Sequence, residues 1–521
     1  MQFTRLYQEQ ILGSIAGLDR IRFRGTDRML SNKRGFGLAL HDMGVLFKDF
    51  GRWAEAKTKW FRARVEAQAQ RLGIGITYLR TSGVDKEALA RQIAKEHGVA
   101  DDGSICMFSV VESCVAPTVC GDRSTRRLHV EMRPRKCVFL YYYFDHPRVG
   151  FGNVRIQTWA PYTVHICLNG RHWLEKQLMA KGMGYQKSGN CFTWLADVAY
   201  GQRLLDQQLK TNWPGLLNAM VRKAFPGVFH LCSPFQLQYY WSADETEFAT
   251  DVMFRSKPQL DALFPTLLFH GMRVSDCHNV LRFFGMRGET KTRGRAPYQI
   301  QSSCRKRHEG IRIRHWVGGD SVKMYNKAGT VLRVETTINK PRKFKAFRSA
   351  NDDTTQRPKW QRMRKGVNDL HRRCDLSRKS NERYLDAMTA AQVETTLRQT
   401  VEDVCNRTLL NGRPVRGLNP WNALDFQLVT FLAKGEWALN GFRNADLRRW
   451  LKPQSPQDPS PERKKLSAKV TRLIGILRAH GLVRKVPKEN RYVLTPKGHT
   501  LASALLVASN VQVKQLAEIA A

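Results

Sequence analysis

Residues 461–494 read PERKKLSAKVTRLIGILRAHGLVRKVPKENRYVL. Val470, Leu473, Ile474 and Leu477 recur at helical spacing, while Lys464, Lys465, Lys469, Arg472 and Arg478 fall mostly on the other faces. The pattern predicts a helix with a buried stripe and a cationic outer surface. Gly481 stops it, and LVRKV and RYVL follow as two short strands around a turn, Pro487 to Asn490, with a basic tip. Upstream, Leu424 to Leu432 reads as an apolar helix. Asn440 to Leu451 reads as another, with Asn444 as its cap and Pro453 beyond its end.

Helix, hairpin and basic tip together resemble a winged helix-turn-helix DNA-binding domain, covering residues 416–521. The resemblance implies that the helix after the turn lies in the major groove and the wing touches the backbone. It places Lys464, Lys465, Ser467, Lys469, Thr471 and Arg472 against bases or phosphates, and Arg484, Lys485, Lys488 and Arg491 on the wing. The same residues also suit a winged helix used for protein contacts, with a solvated basic face.

Composition points the same way. The chain of 521 residues has 86 Lys plus Arg against 45 Asp plus Glu, a formal charge of +41. A field of that size favours a polyanionic partner, and nucleic acid, DNA or structured RNA, is the first expectation. Hydrophobic residues at 42% suffice for real cores, which excludes a merely basic tail. No apolar run is long enough for a membrane span, and Met1 to Arg20 lacks the apolar region of a signal peptide. The eleven cysteines have no paired spacing, as expected of reduced thiols, so a cytoplasmic protein with no membrane partner is expected.

The centre of the chain carries the densest charge. Between Lys291 and Lys365, KTRGR, CRKRHEG, RIRHW and KPRKFKAFR alternate with aromatic residues. Phosphate neutralisation beside rings on which bases can stack is what a nucleic-acid groove needs, and Arg305, Lys306, Arg307, Arg312, Arg314, Trp316, Lys343 and Lys345 are its candidates. Within this segment IRIRHWV, SVKMYNK and VLRVETTIN predict three antiparallel strands turning at Gly318-Gly319 and Ala328-Gly329. Tyr325-x-Lys327 followed by Leu332-Arg333-x-Glu335 is similar to a segment of phage and plasmid replication initiators. There, the resemblance implies, a strand carries acidic metal ligands and a tyrosine elsewhere attacks the DNA backbone. Alternation by itself also explains Arg333 and Glu335 as an ion pair on one strand face.

Earlier elements are expected as follows. Residues up to about 75 read as helical, with Val45 to Leu72 amphipathic, and Thr81 to Gly98 reads as a helix capped by Ser82. SICMFSVVESC, KCVFLYYYF, NVRIQTW and YTVHICL read as strands, and RHWLEKQLMAKGMG as a helix. KCVFLYYYF, NVRIQTW, YTVHICL and the helix, three strands and a helix with Asp145 at the end of the first strand, resemble the opening of RNase H-like nuclease and transposase cores, in which such an acid binds a divalent metal. Gln236 to Phe254 is taken as a helix that sets Glu247 and Asp251 four apart on one face, either beside a cation or in structural ion pairs with arginine.

No P-loop, GxSxG elbow or HExxH motif is present, and the cysteines lack a zinc knuckle, so any bond cleavage would rest on carboxylates. The candidates are Asp145, Glu247, Asp251 and Glu335, holding Mg²⁺ or Mn²⁺. The expected architecture is multidomain α+β. A helical basic region spans 1–100, an α+β domain 101–235, a second α+β segment with a basic three-stranded sheet 236–348, a helical linker 349–415, and the winged helix 416–521. The expected function is nucleic-acid binding in a mobile or replicating element, with metal-dependent strand cleavage as its possible chemistry. The alternative is a non-catalytic scaffold for a large structured RNA.

Overall fold

The computed structural model describes residues 2–274, 277–286, 300–307, 310–349, 355, 357–389, 397–433, 441–452, 460–486 and 489–510. The chain is an α+β protein built on one large sheet. Its strands are β1 (Ile11–Asp27), β2 (Ile76–Leu79), β3 (Ser104–Asp122), β4 (Arg127–His146), β5 (Gly150–Gln157) and β6 (Val164–Asn169). After a separate hairpin, β7 (Tyr185–Ser188) and β8 (Cys191–Leu195), come β9 (Tyr239–Phe254), β10 (Ile300–Arg307), β11 (Gly310–Val317), β12 (Asp320–Lys327) and β13 (Val331–Thr337). The spatial order is β10-β11-β12-β13-β9-β1-β6-β5-β4-β3-β2, antiparallel except for β2 beside β3. The first long strand is therefore the pivot, bonded to β6 on one side and β9 on the other.

Helices α1 (Gln2–Leu6), α2 (Lys33–Asp42), α3 (Phe50–Arg71), α4 (Lys86–His97), α5 (Gly170–Ala180), α6 (Val198–Gln208), α7 (Trp213–Ala224), α8 (Lys257–Val274), α9 (Cys277–Phe283) and α10 (Leu370–Met388) flank the sheet. One sheet face is closed by two large cores. Phe23, Tyr142, Val154 and Ile166 pack with residues of α2, α3 and α7. Val252, Met324, Leu332 and Val334 pack with residues of α8, α9 and α10. Among the described residues the opposite face carries two small apolar patches, Ile15, Met253 and Val331 with α5, α6 and β8, and Phe108, Phe139 and Tyr143 with α4. Between those patches the face is polar.

Two short hairpins follow, β14 (Lys345–Arg348) with β15 (Lys359–Arg362), and β16 (Thr408–Leu410) with β17 (Arg413–Val415), the latter after α11 (Leu397–Cys405). A separate core then gathers α12 (Ala423–Ala433), α13 (Asn444–Leu451), α14 (Ser460–Ala479), the hairpin of β18 (Val483–Lys485) and β19 (Tyr492–Leu494), and α15 (Pro496–Asn510). Val470, Leu473, Ile474 and Leu477 are buried in it, as the helical spacing requires.

Several expectations are corrected. The N-terminal region is not helical throughout, because Ile11–Asp27 is the central strand of the sheet. Ile21 and Phe23 are buried while Arg20, Arg22 and Arg24 are exposed, the period of a strand and not of a helix. Gln236–Phe254 is likewise no helix, since Tyr239–Phe254 is β9. Helix α4 is capped by Asp85, whose carboxylate accepts the Ala88 N–H at 3.0 Å, and not by Ser82. Asn444 is the first helical residue of α13 and not its cap; Asp446 accepts the N–H of the true cap, Arg443, at 2.8 Å. The expected boundaries at 100/101 and 235/236 cut through a single hydrogen-bonded sheet. Among the described residues no helix is long and apolar enough to cross a membrane.

Candidate metal centre

Pairing between β1 and β9 slips at three points, and the middle one builds the site. Leu18 opposes Phe248 and Ile21 opposes Thr246, so Asp19 and Arg20 together face the single residue Glu247. This is a β-bulge, which turns two successive side chains to the same face and breaks the strict alternation of the strand. The bulge is braced from above by the start of α5, where a Cβ on Gly170 would stand 2.1 Å from the Leu18 carbonyl oxygen; only glycine permits that approach. Next to β9, Glu335 of β13 opposes Ala249 and therefore shares the face of Glu247 and Asp251, and Lys323 of β12 opposes Glu335.

The result is a group of three carboxylates, Asp19, Glu247 and Glu335, whose ligand oxygens lie within 4.8 Å of one another. Asp19 and Glu335 are buried; Glu247 is partly open. Their surroundings differ. Arg333 makes a bidentate pair with Asp251 at 2.5 and 2.9 Å and reaches Asp19 at 2.9 Å. Arg171, also fully buried, reaches Asp251 at 2.9 Å. Asn190, at the β7–β8 turn, donates to both oxygens of Asp19 at 2.8 Å. Burial opposes the charge of Asp19, but Arg333, Arg171 and Lys327 outweigh it and hold the carboxyl below its ordinary range.

Glu247 and Glu335 share one cation. Lys323 Nζ is 2.6 Å from Glu335 and 3.7 Å from Glu247, and the Tyr325 hydroxyl donates to Glu335 at 3.1 Å. Burial and the neighbouring Glu335 push the Glu247 carboxyl up to about 7. Two close carboxylates with one ammonium between them are short of positive charge, and three hard oxygen donors on adjacent strands are the donor set of Mg²⁺ or Mn²⁺.

Of the expected acids the fold therefore unites Glu247 and Glu335 and adds Asp19. Asp251 lies on the same face but is fully engaged by two arginines. Asp145 pairs with Lys176 at 2.9 Å. Its strand β4 is four places from β9 in the sheet, roughly 19 Å at the usual strand spacing, so it does not join the cluster. Arg333 and Glu335 share a face as expected yet do not pair with each other, because closer cross-strand partners claim both. Asp19 escaped the sequence reading. Its signal was the three-residue step from Leu18 to Ile21 between the two-residue steps Ala16–Leu18 and Ile21–Phe23.

Cations flank the acids along the same face. Register places Arg305 opposite Arg312, Arg312 opposite Tyr325, and Arg314 opposite Lys323, so these side chains line up with Trp316 on the acidic side of the sheet. Lys306 points to the other face. Lys343 is drawn into the fold by Asp320 at 3.6 Å, whereas Lys345 is exposed. In the C-terminal unit Lys464, Lys465, Lys469, Arg472, Arg484 and Lys485 are exposed, and Arg491 pairs with Glu489 at 2.9 Å. The hydroxyl of Ser467 donates to Asn444 and ties α14 to α13 instead of facing outward. Lys488 and the cationic run 287–299 lie outside the described residues.

Comparison with known proteins found no matching family model, no similar curated protein and no similar solved structure.

Proposed function

We propose that the protein binds DNA and breaks a phosphodiester bond of one strand with the help of a divalent cation held by Asp19, Glu247 and Glu335, as a protein of a mobile or replicating element. The observation that carries this is the placement of three carboxylates at the centre of one cationic sheet face. A polyanion is drawn to the flanking arginines and lysines, and the clustered acids would repel it without a cation. Bound there, the cation would supply charge stabilisation for the developing oxyanions. The chain's own groups have separate tasks: Arg333 and Asn190 fix Asp19, Lys323 and Tyr325 orient Glu335, and Arg20 stands beside the acids where a phosphate would rest. Tyr325 itself is a buried phenol donating to Glu335, with its pKa held well above the ordinary value by burial, which suits positioning and not attack. In this reading the C-terminal unit, as a winged helix, holds duplex through α14 and the β18–β19 hairpin.

The test is incubation of the purified full chain with supercoiled and single-stranded DNA in Mg²⁺, Mn²⁺ or chelator. Metal-dependent nicks are expected, and Glu335→Gln should lower their rate by about a hundredfold or more. No nicks under any metal, with structured RNA that stays bound through high salt, would favour the RNA scaffold instead.

A further inference from the structure

Next to the acids lies a cavity of about 1120 Å³. Its floor is the sheet face of β1, β6, β5 and β4; its walls are the first turns of α4, His172 of α5 and the β7–β8 turn at Gly189 and Asn190. Seven of the lining side chains are Lys or Arg and four are Asp or Glu, and Glu247 of the carboxylate group is one of the four. We infer that this cavity holds unpaired nucleotides of the DNA strand next to the bond at the carboxylates and reads their bases. The inference rests on the DNA-cleaving reading above and adds to it the state of the substrate, single-stranded and not duplex.

Three observations converge on it. Arg20, Arg22 and Arg24 alternate along β1, starting beside Glu247 and leading away from it, and all three are exposed into the cavity. Their successive spacing, about 7 Å for two strand residues, suits successive phosphates of an extended strand. Among the described residues Arg22 and Arg24 make long ion pairs, 3.7 Å to Glu245 and 4.0 Å to Asp244, and nearly half of each side chain is open.

The far wall offers flat surfaces. Arg91 lies 4.0 Å over the ring of Phe151, and Arg155 and Lys86 approach the ring of Tyr141 at 5.6 and 5.2 Å. Bases stack on such arginine and aromatic planes without regard to sequence.

Sequence is read by neutral hydrogen-bonding groups, and the cavity contains them. Asn153 lines it, as do His165 and His172. Burial first, then Arg155 for His165 and Lys187 for His172, keep both imidazoles uncharged, so each presents one donor and one acceptor. Helix α4 and the β7–β8 turn flank the cavity, and a base that has left its partner would enter between them.

The experiment measures anisotropy of a fluorescein-labelled single-stranded oligonucleotide and of a labelled hairpin duplex with the full chain in EDTA, so that the metal plays no part. Arg22→Ala with Arg24→Ala should weaken single-strand binding about tenfold or more, and reduce the slope of log K against log salt by about 1.4 for two lost phosphate contacts. Duplex binding should be unchanged. Photocrosslinking of bromodeoxyuridine strands should map to residues of β4, β5 and α4. Single-strand affinity and slope equal to wild type in the double variant, or crosslinks confined to β10–β12, overturn the inference and leave the cleavage reading standing. A wild-type chain that binds neither probe overturns both.

Discussion

Two neighbourhoods on one sheet face, a few residues apart, treat their carboxylates in opposite ways. Around Asp251, Arg333 and Arg171 make close, fully buried pairs, the first of them bidentate, and Arg333 also reaches Asp19. Around Glu247 and Glu335 a single lysine serves two acids, and Glu247 responds by holding its proton near neutrality. The first neighbourhood is a clamp, while the second leaves two acids to one ammonium. Buried ion pairs cost much to desolvate and become strongly destabilising only when one member is removed. An under-compensated acid pair is the usual sign of a site prepared for something else.

That contrast can be broken experimentally. The largest effect is expected from Arg333→Met, which strands Asp251 and Asp19 in the interior and should lower the unfolding free energy by about 3–5 kcal/mol in urea titrations. A small change would mean that Arg171 alone suffices and that the clamp is not one unit. The carboxylate pair predicts a pH effect of definite sign. The Glu247 carboxyl, raised to about 7 in the fold, keeps a proton that the unfolded chain has already released. Stability should therefore decline as pH rises from the ordinary glutamate range to about 7 and level off above it. Glu247→Gln should flatten that decline, and Mn²⁺ should restore Tm above pH 7 more than below it. An identical slope in the variant would remove Glu247 as its source.

Smaller effects are expected away from the acids. Lys469→Ala with Arg472→Ala, both exposed on α14, should weaken duplex binding by about 1–3 kcal/mol for each lost base contact, less for phosphates, with no change in Tm. Asp145→Asn sharpens the comparison from outside. Its partner Lys176 is partly solvated, so stability should change by at most about 1 kcal/mol and nicking not at all. A nicking defect there would return Asp145 to the site.

Much of this was legible from residues. IRIRHWV, SVKMYNK and VLRVETT alternate apolar and polar residues and fold as three adjacent strands in sequence order, and the spacing of Val470 to Leu477 gave its helix. The N-terminal strand was not, since ILGSIAGLDRIRFRG breaks its own period at the bulge, and the glycines and the run of arginines hide a strand that the rest of the sheet completes. Glu247 and Asp251 were rightly placed on one face for the wrong reason: residues four apart share a face in a strand as well as on a helix.

The sequence by itself determined the large excess of positive charge, the α+β class, and the strands of the basic half-sheet, because these depend on composition and on periods a few residues long. Only the tertiary structure decided that Asp19 stands beside Glu247 and Glu335, and that Arg333 belongs to Asp251. Both depend on pairing β9 with β1 and β13, strands far from it in the chain, and register between distant strands is set by the packing of whole faces, which no local pattern records.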